Sequence, residues 1–594
     1  MRPYPVHRYT RAGQPGDPWP SPKGLPTLPP YKPELFVRNR RAVALVLRPE
    51  EVPQPVPGLV LIAHTVWGAA GPSLHDPNNR LGDAQGRRRD LAVAVEGGRI
   101  TAVVPAAEAG GLRGDRVVDL GDATLMPGFV DAHVHLSTTG LVISGVELRE
   151  ARSPGELLDR VRVAAARATG GLLWGDGYDE TRFPEPELPA AAALAEAGGG
   201  RPVYLSRVDG HQGLATLDVL GESGALDADG CERDRDGTPT GVARGEANHL
   251  ARRHALAKLP DETLLAAQDA ALCQAARRGV TCVHEMGGPD ISGRRDFELL
   301  LGRAEALPIE VVGYWGDLDF DYVEDRKLAQ IGGDLFLDGS LGSHTAALST
   351  PYEDQPDVRG VLYHDDAELT ELYVRASLAG MQVGVHAIGD VAIGQALRCA
   401  RRAVRAVGPT AFQGCRHRIE HVELLGADGA DRMAELGLAA SVQPGFDAAW
   451  GGPDGMYARR LGPRRAKSMN PFADLWRRGV PMGGSSDAHV TPLDPWHGVA
   501  AAVHHHRPSQ RLGLPVALEV FTLGGRILAR QERVSGTIEP GQRADLAAFP
   551  GDVLAADPRD LEGTDAIFTM VAGRLAHGPT ELGVPAAASF GGWT

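Results

Sequence analysis

Between about residues 126 and 533, short apolar segments alternate with longer segments rich in Ala, Leu and Arg. Eight apolar segments have the length of a buried strand: GFVDAHVHL, TCVHEM, IEVVGYW, DLFLDG, VGVHAIGD, RHRIEHVEL, AASVQP and PMGGSSDA. The segments between them include ETLLAAQDAALCQAARR and AIGQALRCARRAVRAV, which have helical length and periodicity. Eight strand–helix units predict an α/β fold, a (β/α)8 TIM barrel with insertions.

Two β-rich regions flank this barrel region. Residues 58–125 contain LVLIAHTVW and DLAVAVEGGRITAVV, in which Gly-Gly predicts a hairpin turn, and residues 534–585 contain VSGTIEPGQRADLAAF and TDAIFTMVAGRLA. Neither region has enough strands for a stable sheet of its own. We therefore predict that both ends of the chain combine into one composite β-sandwich.

Two further regions complete the predicted organisation. Residues 137–275 form an insertion after the first barrel strand, and it carries strands of its own, such as LLWGDGYDE and PVYLSRVDGH. Residues 1–57 contain 14 prolines and little periodicity. Since proline fixes φ and removes a backbone donor, this stretch is predicted to be an extended N-terminal arm.

Composition and charge narrow the class of protein. The chain has 594 residues, a net charge of −15 and 43% hydrophobic residues, which is typical of a globular protein. The acidic balance argues against nucleic-acid binding. Five cysteines without a C-x-x-C, and no apolar run of about 18 residues, favour a cytoplasmic protein without a disulfide framework or a membrane span. A homodimer is left open.

Histidine and aspartate residues stand where the predicted barrel strands end. His133 and His135 are two residues apart in GFVDAHVHL, so the period of a strand places both imidazoles on one face. His386 ends VGVHA, His421 ends RIEH, and Asp487 follows PMGGSS. Because the carboxyl ends of barrel strands meet at one rim, these side chains are expected to lie together.

Four imidazoles and one carboxylate are a ligand set for a divalent metal. A single histidine at a strand end is more often a core or surface residue, but the H-x-H pair and the joint pattern indicate a metal site. Zn²⁺ suits these ligands first, with Mn²⁺, Fe²⁺ and Co²⁺ as alternatives. We predict one or two ions per chain and a small-molecule substrate.

Longer motifs resemble a known family. LMPGFVDAHVHL, VGVHAIGD, RHRIEHVEL, SVQP, GGSSDAHVTPLDPW and GTIEPGQRADLAAF resemble the amidohydrolase superfamily. RVDGH, DGSLGSHTAAL, HAIGD and RHRIEH resemble its family-3 branch, which includes N-substituted formamide deformylase, and the resemblance covers about residues 58–585. It implies a distorted TIM barrel with a composite β-sandwich, a metal-activated water and hydrolysis of carbon–nitrogen bonds in non-peptide amides.

One position departs from the family pattern. Relatives commonly carry a carboxylated lysine that bridges two metals on the fourth strand, and the matching position here is Asp334 in GDLFLDGS. Asp334 is therefore the candidate bridging ligand. Because an aspartate is several atoms shorter than a carboxylated lysine, a single ion is favoured over two.

The resemblance also implies roles around the metal. Asp487 is expected to take a proton from the attacking water and return it to the leaving nitrogen, although a plain ligand role remains an alternative. Arg207 and His211 in RVDGH, His284 in TCVHEM and His344 in DGSLGSHTAAL are the candidate substrate-binding residues. For His211 the alternative is a loop histidine bonded to the backbone, and for His284 it is a residue that orients a ligand from behind.

Three functions follow from these features. The first is a metal-dependent amide or formamide hydrolase. The second uses the same ligands in a deaminase that acts on a cyclic amidine. The third is a barrel scaffold with reduced catalytic activity, which Asp334 in place of lysine supports and the otherwise intact ligand set opposes.

Overall fold

A computed structural model describes residues 58–68, 87–168, 171–185 and 187–579. The predicted arm at 1–57 and the last part of the predicted C-terminal β-region, residues 580–585, lie outside the described residues.

The chain enters its first sheet through five strands. They are β1 (Leu59–Trp67), β2 (Arg87–Glu96), β3 (Arg99–Pro105), β4 (Arg116–Asp119) and β5 (Thr124–Pro127). Gly97 and Gly98 join β2 to β3 with φ of 58° and 78°, which is the positive φ that a two-residue hairpin turn requires. The predicted Gly-Gly hairpin is thus confirmed.

The first parallel strand, β6 (Phe129–Val134), is followed by a separate layer. Its strands are β7 (Val146–Glu147), β8 (Leu173–Tyr178), β9 (Val203–Arg207), β10 (Gln212–Ala215), β11 (Cys231–Arg233) and β12 (Pro239–Arg244). They form one six-stranded sheet in the order β11-β12-β10-β9-β8-β7. This sheet lies wholly within the segment predicted as an insertion, 137–275.

Seven further strands complete a set of eight parallel ones. They are β13 (Val280–Gly287), β14 (Glu310–Trp315), β15 (Gln330–Phe336), β16 (Gln382–Ala387), β17 (Arg418–His421), β18 (Ala439–Val442) and β19 (Met482–Gly484). They form two parallel arcs, β14-β13-β6 and β15-β16-β17-β18-β19. A parallel bridge between Val134 and Ala488 joins β6 to the segment after β19. Each of the eight predicted barrel strands overlaps one of these strands.

The last three strands return to the first sheet. They are β20 (Leu546–Phe549), β21 (Phe568–Val571) and β22 (Arg574–His577). Because β20 pairs antiparallel with β5, the first sheet has eight strands drawn from both ends of the described chain, in the order β22-β21-β20-β5-β1-β2-β3 with β4 beside β1.

Helices cover the parallel strands and the inserted sheet. In chain order α1 to α18, they are Leu136–Ser144, Pro154–Arg167, Ala191–Ala197, Leu217–Ser223, Gly245–Ala257, Asp261–Arg277, Arg294–Leu301, Phe320–Asp325, Asp366–Ala379, Asp390–Val407, Pro409–Cys415, Gly429–Leu436, Pro444–Trp450, Met456–Ala466, Phe472–Arg477, Pro495–His504, Leu514–Glu519 and Gly525–Leu528. In α10, Ala392, Ala396, Ala400 and Ala403 recur every three to four residues and are buried. None of the helices in the described part of the chain has the length and apolarity needed to cross a membrane.

A buried charge network joins the parallel strands to the C-terminal part of the first sheet. Arg526 is 1% exposed, and its guanidinium lies 2.5 Å from Glu310 of β14 and 3.0 Å from Asp545, which precedes β20. Burial disfavours the Glu310 charge, but Arg526 and Arg543 outweigh it and lower the pKa of Glu310 to about 2. The network therefore stabilises the fold only while Glu310 is ionised.

We predict that Glu310→Gln destabilises the protein in a pH-dependent way. The folded-state pKa lies below the ordinary value of 4.5, so the contribution of Glu310 is present above about pH 4.5 and is lost as the pH falls towards 2. Urea unfolding should show a loss of about 3 kcal/mol at pH 7 that shrinks steadily below pH 4.5.

The control is Glu298→Gln, since Glu298 pairs with Arg326 at the surface and 33% of its side chain is exposed. Its effect should stay within about 0.5 kcal/mol at every pH. A destabilisation by Glu310→Gln that does not change with pH would contradict the prediction.

Candidate metal centre

The residues predicted as metal ligands meet at the carboxyl ends of the parallel strands. His133 lies in β6, His386 in β16, and His421 ends β17. The segment after β19 is held to β6 by two backbone hydrogen bonds, from the Asp487 amide to the His133 carbonyl (2.9 Å) and from the His135 amide to the Ala488 carbonyl (2.8 Å). This pairing brings the H-x-H residues and Asp487 together from opposite ends of the strand set.

Two overlapping groups of side chains offer ligand atoms within 4.8 Å of one another. The first is His133, His135 and Asp487, and the second is His133, Asp334 and His421. His386 adjoins the second group, because its Nδ1 lies 3.1 Å from Asp334 Oδ1. The structure thus brings all six predicted ligands into one buried cluster.

Asp334 lies between the two halves of this cluster. Its Oδ1 is 3.8 Å from His133 Nε2 and 3.5 Å from His421 Nε2, and its Oδ2 is 3.7 Å from His135 Nε2. Burial disfavours its charge, but the imidazoles of His133, His386 and His421 outweigh this and hold the pKa of Asp334 well below its usual range. The short side chain therefore reaches both halves, contrary to the premise on which a single ion was favoured.

The backbone of β15 explains this reach. The pairing of β15 with β16 shifts register between Gly332 and Phe336. Gly332 and Gly333 have φ of 83° and 84°, and a Cβ on Gly333 would stand 2.5 Å from the Cβ of Tyr314. Only glycine fits both the conformation and the contact, so the Gly-Gly pair permits the bulge that precedes Asp334.

Three of the imidazoles are oriented by a partner at Nδ1. The partner is Glu420 Oε2 for His133 (2.9 Å), the Met286 carbonyl for His135 (3.1 Å) and Gln443 Oε1 for His421 (3.0 Å). An engaged Nδ1 fixes the ring and leaves Nε2 free to bind a metal. Neither Glu420 nor Gln443 was predicted, although each is a polar residue within a predicted barrel strand, in RIEH and SVQP respectively, which is a signal that the sequence does contain.

The donor set fits a divalent cation. The Nε2 atoms of His133 and His421 are buried and make no hydrogen bond, which is costly unless a ligand occupies that side. Burial lowers the pKa of His135 and His386, but Asp487 and Asp334 respectively overcome this and raise both pKa values to about 9. The same negative field would stabilise a metal ion.

A cavity of about 690 Å³, counting its open mouth, lies over this cluster. Its volume is in the range of small-molecule sites. His135, Asp334, His386, His421 and Asp487 form part of its lining, and the rest is divided between polar and aromatic side chains.

Of the four predicted substrate-binding residues, His211 lines this cavity. Arg207 is fully buried, and its guanidinium pairs with three carboxylates, those of Asp179 (3.1 Å), Glu180 (2.8 Å) and Asp209 (2.7 Å). Arg207 therefore holds the inserted region together and does not face the cavity.

The other two also lie away from the cavity lining. His284 is fully buried, and its Nδ1 lies 3.0 Å from a guanidinium nitrogen of Arg418. His344 pairs with Asp354 at 3.1 Å. Neither residue lines the cavity above the ligand cluster, and each is engaged by a charged neighbour.

Among the polar residues of the cavity wall, sequence reasoning missed three that carry a basic side chain. They are His249, Arg252 and His489. The first two lie on α5 of the inserted region, where they look like ordinary residues of a surface helix, so no local pattern could have identified them.

Comparison with known proteins agrees with this arrangement. A sequence profile of the Amidohydro_3 amidohydrolase family matches residues 116–577. YtcJ of Bacillus subtilis is 29% identical over 497 residues, which cover 77% of this chain and 90% of that protein. N-substituted formamide deformylase of Arthrobacter pascens is 25% identical over 523 residues, which cover 82% and 94%.

A solved structure is similar over most of the chain. The crystal structure of an uncharacterized metal-dependent hydrolase from Pyrococcus furiosus has a TM-score of 0.65 and 27% identity, covering 84% of this chain and all of that one. Fold and site together define a hydrolase with a TIM-barrel-like α/β fold and a metal-dependent chemistry. The chain belongs to the amidohydrolase family.

We predict that Glu420→Gln weakens metal binding. Glu420 is fully buried between His133 and Arg418, and Arg418 keeps it ionised against the cost of burial. Glutamine removes the negative charge that polarises the His133 ring, so metal affinity should fall about 10- to 100-fold in competition with a chelator.

Glu423→Gln is the matched control. Glu423 is also buried and accepts a hydrogen bond from Tyr457. Burial raises the pKa of Glu423 to about 8, so its replacement by glutamine substitutes an amide for an uncharged carboxyl group and removes no charge. Equal loss of metal affinity in both variants would show that Glu420 has no specific role.

Proposed function

We propose that this chain hydrolyses the carbon–nitrogen bond of a small non-peptide amide, of the N-formyl type, in a reaction that depends on a divalent metal ion, with Zn²⁺ as the first choice. The observation that carries the proposal is the cluster of His133, His135, His421, Asp334 and Asp487 at the base of the cavity. The name of the formamide deformylase relative supports the type of bond.

His133, His135 and Asp487 would hold one ion, and His386 and His421 a second, with Asp334 shared between them. We propose two ions because the Asp334 carboxylate lies within 3.8 Å of imidazole nitrogens from both halves. A bound divalent ion supplies a water whose pKa falls towards about 7 and polarises the substrate carbonyl.

Asp487 is the residue that we propose to move the proton. It lines the cavity, and its Oδ1 lies 3.0 Å from His135 Nε2 and 3.5 Å from His133 Nε2. Burial disfavours its charge, but His133 and His135 lower the pKa of Asp487 and so favour the ionised carboxylate, which is the form that can accept a proton from water. Delivery of that proton to the nitrogen completes the cleavage.

The shape of the cavity favours an apolar substituent on the substrate. Phe446, Trp450 and Met456 line one side, and the Phe446 ring is stacked on His421 at 6.0 Å. An aromatic or aliphatic group beside the scissile amide would be desolvated there. An N-benzyl or N-alkyl formamide is therefore the first substrate to test.

We predict that exhaustive chelation abolishes hydrolysis of N-benzylformamide and that added Zn²⁺ or Mn²⁺ restores it. Formate release is the measurement, and Asp487→Asn should lower it about 10²- to 10⁴-fold in metal-loaded protein. Release of ammonia from a cyclic amidine without formate would favour a deaminase, and a metal-loaded protein inactive on both classes would favour the scaffold. Full activity in metal-free protein would refute the proposal.

We predict that Asp334→Ala lowers the metal content from two ions per chain to one. Without the shared carboxylate, two adjacent cations repel each other with less screening, so the second ion is lost. Metal analysis of dialysed protein is the measurement. The control is Asp390→Asn, because Asp390 accepts a hydrogen bond from the Ser349 amide and lies outside the cluster. One ion in wild type and one in Asp334→Ala would show a single-ion site.

A further inference from the structure

The acidic groups on the upper wall of the cavity have partners of their own. Asp209 pairs with Arg207 at 2.7 Å, and Asp290 pairs with Arg253 at 3.2 Å. Glu423 accepts a hydrogen bond from Tyr457. Each of these acids therefore has a charged or hydrogen-bonding neighbour within the protein.

Arg252 on α5 differs from these groups. It is 4% exposed and lines the cavity, yet its hydrogen bonds go to neutral acceptors, the Ile291 carbonyl (3.0 Å) and the Thr138 hydroxyl (3.2 Å). Across the described ranges, no carboxylate lies within 4.0 Å of its guanidinium. Arg207, the buried arginine nearby, has three. A buried cation without a counter-charge is costly, so an anionic group of a bound ligand would stabilise Arg252.

Asp176 on β8 is a buried carboxyl in the same region, but it does not neutralise Arg252. Both of its oxygens lack a hydrogen-bond partner, and it lies 3.4 Å from His489 Nε2. Burial raises the pKa of Asp176 to about 8, although the charges of Arg149 and Arg252 oppose this rise, and within the described residues neither Asp176 oxygen lies within ion-pair distance of Arg252. The positive charge of Arg252 therefore remains available.

An open space lies beside Arg252. A Cβ built on Gly210, whose φ is 71°, would stand 3.4 Å from an Nη atom of Arg252 and 3.9 Å from His489 Nε2. His489 is 4% exposed, lines the cavity, and makes no hydrogen bond with either ring nitrogen. The missing side chain of Gly210 thus leaves a space bordered by a guanidinium and by an imidazole that makes no hydrogen bond.

We propose that Arg252, His489 and the bare backbone of Gly210 form a subsite that binds a carboxylate carried by the amide substrate. Guanidinium and carboxylate form charge-assisted hydrogen bonds of matching geometry. The subsite adjoins the metal centre, because the His489 ring lies 6.1 Å from the His135 ring. The inference rests on the proposed amide hydrolysis and adds to it that the preferred amide is an anion.

The kinetic test compares N-formylphenylalanine with N-formylphenylalaninol, which replaces the carboxylate by a hydroxymethyl group. Wild-type protein should prefer the acid, and Arg252→Met should lower kcat/KM for the acid roughly 10- to 100-fold, mainly through KM, while the alcohol changes less than about threefold. Metal content should not change. Equal losses on both compounds, or no preference in wild type, would overturn the subsite.

Direct binding separates this inference from the proposed function. Calorimetry with 3-phenylpropionate on metal-loaded protein should show binding at least tenfold weaker in Arg252→Met than in wild type. Arg252→Lys should bind with intermediate affinity, because lysine keeps the positive charge but lacks the paired N–H donors of the guanidinium. Lys258→Met removes a charge from the end of the same helix, where the side chain is 52% exposed, and should bind as wild type does. Equal binding to wild type and both Arg252 variants would refute the subsite even if amides are hydrolysed. Arg252-dependent binding without hydrolysis of any amide would uphold the subsite and refute the proposed function.

Discussion

The contact between one carboxylate and four imidazoles is the interaction on which the site depends. Asp334 lies within 3.8 Å of His133, His135, His386 and His421, all of them buried. With Asp487, the cluster holds six buried titratable side chains, which would be costly if each were buried alone. Their mutual attraction reduces that cost, and a cation between the carboxylates and the Nε2 atoms would reduce it further. The proposed chemistry follows from this arrangement.

Several features of the surrounding fold hold these side chains in contact. The bulge at Gly332 and Gly333 positions Asp334, and backbone bonds between β6 and the segment after β19 bring Asp487 to the H-x-H pair. Beneath them, the buried pair of Arg418 and Glu420 fixes the ring of His133. Substitution of any of these supporting residues would alter metal binding indirectly, because it would move a ligand that is itself unchanged.

The sequence predicts well which strand-end side chains lie together, and it predicts the cavity wall poorly, for a physical reason. His133, His135, His386, His421 and Asp487 each end a strand, so period and topology alone bring them together. The position of Asp334 relative to both halves depends on a backbone bulge, which strand periodicity does not contain. Arg207 was predicted to bind substrate, but three carboxylates surround it, two from consecutive residues after β8 and one from the turn after β9. Arg252 lies on a helix that looks like many others in the sequence, yet it faces the cavity. Such placements are tertiary contacts, so local pattern cannot supply them.

Anomalous diffraction at the absorption edge of the bound metal tests the central claim most directly. The account predicts a peak at about 2.0–2.2 Å from the Nε2 atoms of His133 and His135 and from a carboxylate oxygen of Asp487. It predicts a second peak beside Asp334, His386 and His421. A metal-loaded, active protein whose anomalous peaks all lie away from these side chains would contradict the account.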